Sequence, residues 1–344
     1  MSPPPRPALS ALRALPALYA IPVALAYIAY GAWMTHTQSW HLLAERWHMT
    51  LTMVFGSFIA GATPEGGGAV AYPVMTLGFR VPPPVARDFS LLIQSVGMTA
   101  ASLWILGRRV TIERAYLGLA FAGSVPGVLL GTLCCADRVS PPYAKLTFVS
   151  FWLSFGLALF WINHVRRRAP RPALPPLDRR ARLELLAVGL LGGVLSAVYG
   201  NGVDICTFAY VTLRHNLSEE VATPTSVLLM ASNALLGALL RGAGVGGGGG
   251  LSAEAWGFWL ACVPVVLVGA PLGAYVTTRL GRLWVAWLLY ALILSQLAAA
   301  LLILRPTGAL LGAGVGAFGA GALLFSWAAR RAFSPAGSAA PARP

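Results

Sequence analysis

Apolar runs of about 20 residues recur along this chain, each long enough to cross about 30 Å of hydrocarbon as a helix. Of its 344 residues, 57% are hydrophobic and 10% are charged. A water-soluble surface needs roughly 25–35% charged residues, so a soluble fold is excluded. Inside lipid the backbone must satisfy its own hydrogen bonds, and runs of this length do so as helices. The sequence predicts an all-α polytopic membrane protein with about 8–10 membrane segments. The net charge of +14 suggests a polyanion partner at first, but the arginines lie in short loops between apolar runs. No aromatic-interleaved basic region forms, so nucleic-acid binding is excluded.

The chain divides in order. A disordered tail is expected at 1–14 and an extra transmembrane helix at 15–34. A signal peptide is the rival for 15–34, but the run is long for one and Ala-Tyr-Gly-Ala is a poor cleavage site. A first repeat covers 48–164, a basic cytoplasmic linker 165–182, and a second repeat 183–304. An extra transmembrane helix at 308–329 and a tail at 330–344 close the chain.

The stretch 61–73, GATPEGGGAVAYP, interrupts this apolar pattern. Pro64 has no N–H to donate, and Gly66, Gly67 and Gly68 tolerate angles other residues avoid. A continuous helix is therefore not expected here. Broken backbone at membrane depth survives only where protein or a water-filled cavity supplies partners. A carboxylate in such a break, Glu65, marks a site. A second break, Gly200-Asn201-Gly202 followed by Val203-Asp204, lies in the other half.

The two halves are in register. A shift of 136 positions lays Glu65-Gly66 on Asn201-Gly202, Tyr72 on Phe208, and Ser90 on Ser226. Further on, a shift of 142 lays Gly127 and Gly131 on Gly269 and Gly273, with the glycine run 246–250 accounting for the extra residues. The order of these matches predicts an internal repeat. If both breaks are re-entrant and the termini are cytoplasmic, most of the 25 basic residues fall inside, as the positive-inside rule asks. The two hairpins then open to opposite sides, an inverted-topology repeat of the kind whose sites lie at the repeat interface.

Gly66-Gly67-Gly68, Pro73 and the loop Pro82-Pro83-Pro84-Val85-Ala86 resemble the sulfite exporter TauE/SafE family of membrane transporters. The second half repeats the signature more weakly, with Val221-Ala222-Thr223-Pro224 after its break. The resemblance covers about 50–303 and implies export or uptake of sulfite, organosulfonates or other small organic anions. Two departures stand out: Glu65 precedes the three glycines, and Val203 and Asp204 replace two glycines of the pattern. Carboxylates beside an anion site repel the anion unless protonated or paired.

The candidate site follows from these residues. Where a helix restarts after a break, its first N–H groups are unpaired and its dipole is positive there. Gly66, Gly67, Gly68 and Ala69 in the first half, with Asn201 and Gly202 in the second, are candidate anion-binding residues. Ser90 and Gln94 share one helical face, as do Ser226 and Asn233, and both pairs are expected to complete the cavity or to bond helices together. Arg87 is placed to pair with Asp88 or Glu65. Glu65 and Asp204 are candidate coupling residues that bind a proton or Na⁺, the alternative being acids that cap half-helices. Gly123-Gly127-Gly131 and Gly269-Gly273 have the spacing of close helix contacts.

Cys134, Cys135, Cys206 and Cys262 show no zinc spacing and read as small buried hydrophobes. His36, His41 and His48 make no recognised metal motif, and neither cofactor nor catalytic residue is expected. The reading is a bacterial plasma-membrane secondary transporter exporting sulfite or a related sulfur-containing acid. An uncoupled channel or scaffold, or a membrane-embedded enzyme, are the alternatives. The partners implied are the bilayer, a small anion and a coupling ion, with a homo-oligomer left open.

Overall fold

The computed structural model describes residues 16–136, 138–246 and 250–332. The tail expected at 1–14, most of that at 330–344 and part of the glycine run lie outside the described residues. The described chain is helical throughout, in the order α1 Ala17–His36, α2 His41–Glu45, α3 Trp47–Ala62, α4 Gly68–Pro73, α5 Pro83–Gly107, α6 Arg114–Leu130, α7 Pro141–Phe160, α8 Arg179–Tyr199, α9 Val203–Arg214, α10 Glu219–Gly242, α11 Ala253–Thr277, α12 Arg282–Leu304 and α13 Gly308–Ala332. Single π-helical turns extend α4, α6 and α7. Among the described residues, nine helices are long and apolar enough to cross a membrane, within the range the sequence predicts.

Local chemistry sets the boundaries. Proline opens α5 and α7, where its missing N–H costs nothing. Side chains of Asp178 and Ser252 accept from Ala181 and Ala255 and cap α8 and α11. The 16 residues of α3 reach about 24 Å and the 12 of α9 about 18 Å, short of the hydrocarbon thickness.

Helices from the two halves alternate in space. α3 lies along α11, α8 along α6, and α5 against both α10 and α11. Glycine makes the first two contacts possible. A Cβ on Gly123 or Gly127 would strike the backbone of Leu186 or Leu190, and one on Gly273 would strike Phe58. The partner helices answer with Gly189 and Gly193 on α8 and Gly61 on α3, which the spacing argument misses. Outside this block, α1 is tied to α11 by Tyr19 and Tyr27, whose hydroxyls donate to the carbonyls of Leu267 and Pro264. α13 packs on α7.

The linker is not a freely solvated basic loop. Arg171 N–H donates to the Asn216 carbonyl at 2.7 Å and its carbonyl accepts from the Ser218 N–H at 2.8 Å, at the α9–α10 junction, and Leu174 N–H donates to Glu113 Oε1 at 2.8 Å. Arg168 is buried and donates to Glu219 Oε1 at 2.6 Å, to Asn163 Oδ1 at 2.7 Å and to the Thr212 carbonyl at 2.9 Å.

Candidate functional site

Both expected breaks are present, and they touch. α3 ends at Thr63, whose backbone is extended, and Gly66 adopts φ +68°, a left-handed angle that favours glycine. α8 ends at Gly200 with φ +82°. The two turns meet through Asn201, whose Nδ2 donates to the Glu65 carbonyl at 2.8 Å. From α5, Ser90 Oγ and Gln94 Nε2 donate to the Gly200 carbonyl at 3.2 and 2.8 Å. A Cβ on Gly68 would collide with Ser90 Oγ, so the glycine run lets α4 lie against α5.

Glu65, Gln94, Ser90, Asn201 and Asp204 therefore form one buried cluster where the halves cross. Glu65 Oε2 accepts from Gln296 Nε2 of α12 at 2.6 Å. Asp204 Oδ1 accepts from the N–H groups of Gly202 and Ile205 at 3.2 and 3.0 Å. Gly67 and Gly68 form the start of α4, and the backbone of Ala69 continues it; the Ala69 side chain lies outside the described ones. Ser226 and Asn233 are both buried, but they behave differently. Ser226 Oγ donates back to the Thr223 carbonyl of its own helix at 2.8 Å. Asn233 has no partner at either side-chain polar atom.

Lys145 is a further candidate beside the cluster, one that its sequence position alone does not single out. It is the only lysine in the chain, it is buried in the first turns of α7, and its charge acts on Glu65. Its Nζ stands 5.8 Å from the centre of the Tyr72 ring on α4. Arg87 does sit beside Asp88, at 3.5 Å, and also donates to the Ala136 carbonyl. The stronger partner of Asp88 is Arg241 of α10, with Nε and Nη2 at 3.0 and 3.1 Å from the two carboxylate oxygens.

Two clefts open at opposite ends of α5. One, of about 430 Å³, includes Gly61, Thr223 and Pro224 together with loop residues Thr111 and Arg279. The other, of about 220 Å³, is lined by Tyr72, Arg87, Ala136, Ala144 and Val198. The described residues contain no group of His, Cys, Asp and Glu arranged to hold a metal. Cys206 and Cys262 are buried, whereas Cys134 is exposed and Cys135 half-buried, at the end of α6.

Comparison with curated proteins and with solved structures found no match. The family description Sulfite exporter TauE/SafE matches residues 49–300, which takes in both breaks and the helices α5, α6, α10 and α11 that pack around them. A polytopic helical chain with that match over most of its length belongs to the sulfite exporter TauE/SafE family of membrane transporters.

Proposed function

We propose that this protein exports sulfite or an organosulfonate across a bacterial plasma membrane by alternating access of two inverted repeats. Each repeat contributes one re-entrant hairpin, α3–α4 and α8–α9, and both termini face the cytoplasm. The observation that carries the reading is the bond between Asn201 and the Glu65 carbonyl. These two residues are counterparts in the repeat register, 136 positions apart. A residue meets its own counterpart near a two-fold axis, as at an isologous interface. The reciprocal packing of α3 on α11 and of α8 on α6 supports the same symmetry.

The larger cleft, with Arg279 at its loop end, is the cytoplasmic entry in this reading, and the cleft at Arg87 is the exit. Lys145 and the first N–H groups of α4 supply the positive potential for an anion. Glu65 and Asp204 bind the coupling ion, a proton or Na⁺. Outward movement of one negative charge across 100 mV is itself favourable by about 2.3 kcal/mol.

Purified protein in liposomes is expected to carry sulfite with saturating kinetics, which a channel does not show. Lys145→Met is expected to lower that flux about tenfold or more, equivalent to losing one charge-assisted contact of about 1.5–3 kcal/mol. Glu65→Gln and Asp204→Asn are each expected to flatten the dependence of flux on pH. Flux that never saturates, or that is indifferent to sulfonates and sulfite alike, rejects the substrate reading. Unchanged pH dependence in both acid variants rejects coupling through them.

A further inference from the structure

One hydrogen bond is missing where the two halves cross. Asp204 is fully buried near the start of α9, and its Oδ2 has no partner although Oδ1 has two. Opposite it on α5, Gln94 is also buried. Its Nε2 donates to the carbonyls of Ser90 and Gly200 at 3.0 and 2.8 Å and lies 2.9 Å from Ser90 Oγ. Carbonyls only accept, so the amide can point just one way, with Oε1 turned from them. That Oε1 is buried without a partner as well.

The two orphaned oxygens converge on one point. A Cβ placed on Gly66 would lie 3.2 Å from Asp204 Oδ2 and would collide with Gln94 Oε1. Two buried acceptors facing each other repel, and each leaves its desolvation uncompensated. A water donating to both, a cation, or a single proton between them would satisfy both. Hard metal cations take six or more oxygen ligands. This point offers two, because Asp204 Oδ1 is held by N–H groups and the Gly200 carbonyl by Gln94. A single proton completes the site without adding a heavy atom.

We propose that Asp204 is protonated at neutral pH and donates its Oδ2–H to Gln94 Oε1, a proton-operated latch joining the halves across Gly66. Asp204 belongs to the second half, and Gln94 and Gly66 belong to the first. Loss of the proton replaces an attraction by the repulsion of a carboxylate and a carbonyl oxygen, so the crossing opens when the proton leaves. The link to substrate movement rests on the transport reading above; the latch itself does not.

The groups around Asp204 come from several elements. Glu65 on the first break is a second buried acid within electrostatic reach of it. Tyr116 on α6, whose hydroxyl lies 2.9 Å from that of Thr207, and Cys206 on α9 are also near it. α8 contributes Ser196, whose Oγ accepts from the Val203 N–H. No arginine, lysine or histidine among the described residues forms an ion pair with Asp204. Lys145 on α7 and Gln296 on α12 face Glu65 instead.

The test uses the purified full chain and needs no substrate. Difference infrared spectra between acid and alkaline pH are expected to show a buried carboxylic C=O band in the wild type. Glu65→Gln removes the other buried acid; in that background the band is retained in Gln94→Leu at a shifted frequency, because the hydrogen bond is lost, and is absent in Asp204→Asn. The amide of Asp204→Asn supplies a permanent N–H donor, so this variant is expected to lose less of its melting temperature as pH rises than the wild type does. The sign follows from the native state holding a proton that the unfolded chain releases. A Glu65→Gln protein with no carboxylic band, or one whose band survives the further Asp204→Asn change, overturns the latch, as does a wild type stabilised by Na⁺ at fixed pH through Asp204. Each of these results leaves sulfite flux to be judged on its own. A band that behaves as expected in a protein that carries no sulfite leaves the latch standing and removes the substrate reading.

Discussion

Glu219→Ala is expected to cost about 3–5 kcal/mol of stability, the range for removing one partner of a buried ion pair. Both side chains are inaccessible, and Arg168 Nη2 lies 2.6 Å from Glu219 Oε1. The remaining partners of Arg168, Asn163, Asn216 and the Thr212 and Leu217 carbonyls, are neutral. They satisfy its N–H groups without balancing its charge. Arg282 stands 3.8 Å from the other oxygen of Glu219, so the alanine variant would leave two guanidinium groups facing an uncharged gap. Glu219→Gln keeps an acceptor for Arg168 and is expected to lose less. Arg168→Met combined with Glu219→Leu removes both charges and is expected to recover much of the loss. Thermal unfolding of the purified variants orders the four proteins. A Glu219→Ala variant that melts with the wild type would show that this pair does not hold the linker to the α9–α10 junction.

A single added side chain on the crossing helices is expected to have an effect of similar size. Gly127→Val places a Cβ against the Leu190 carbonyl of α8, and Gly273→Val places one against the Phe58 carbonyl of α3. Backbone cannot rotate out of the way as a side chain does, so the helices must separate. Overpacking of this kind costs about 1–3 kcal/mol or more. The separation also moves the site, because α3 leads into Thr63 and Glu65, and α8 leads into Gly200 and Asn201. Gly118→Val is the control, since a Cβ there meets nothing within 4 Å on the same helix α6. The two crossing variants are expected to give less monodisperse protein after detergent extraction and to lose sulfite flux. The Gly118 variant is expected to retain both. Equal yields from all three would show that the glycine contacts are not what holds the hairpins.

Much of this fold was legible because the signals are local. Apolar runs give spans, and proline beside glycine gives breaks. Glycine at every fourth position gives close contacts, as at Gly123, Gly127 and Gly131. The electrostatic partners were not legible, because they depend on packing between distant segments. Asp88 and Arg241 are 153 positions apart, and Gln296 reaches Glu65 across 231. Arg168 reads as one more arginine in a basic loop, and only the fold of the linker over α9 and α10 buries it. Helical spacing groups Ser226 with Asn233, but spacing does not reveal that the serine hydroxyl is used by its own helix. Lys145 did leave a trace, as one lysine among 25 basic residues, placed inside an apolar run.

That solitary lysine gives the protein a built-in accessibility probe. Its side chain is buried, while its neighbour Ala144 lines the smaller cleft. An amine-directed, membrane-impermeant reagent has, besides the α-amino group, one place on the whole chain to react. If the cleft opens as the transport reading proposes, acylation of Lys145 reports those openings toward the compartment holding the reagent, read by peptide mass at Lys145 on an unmutated protein.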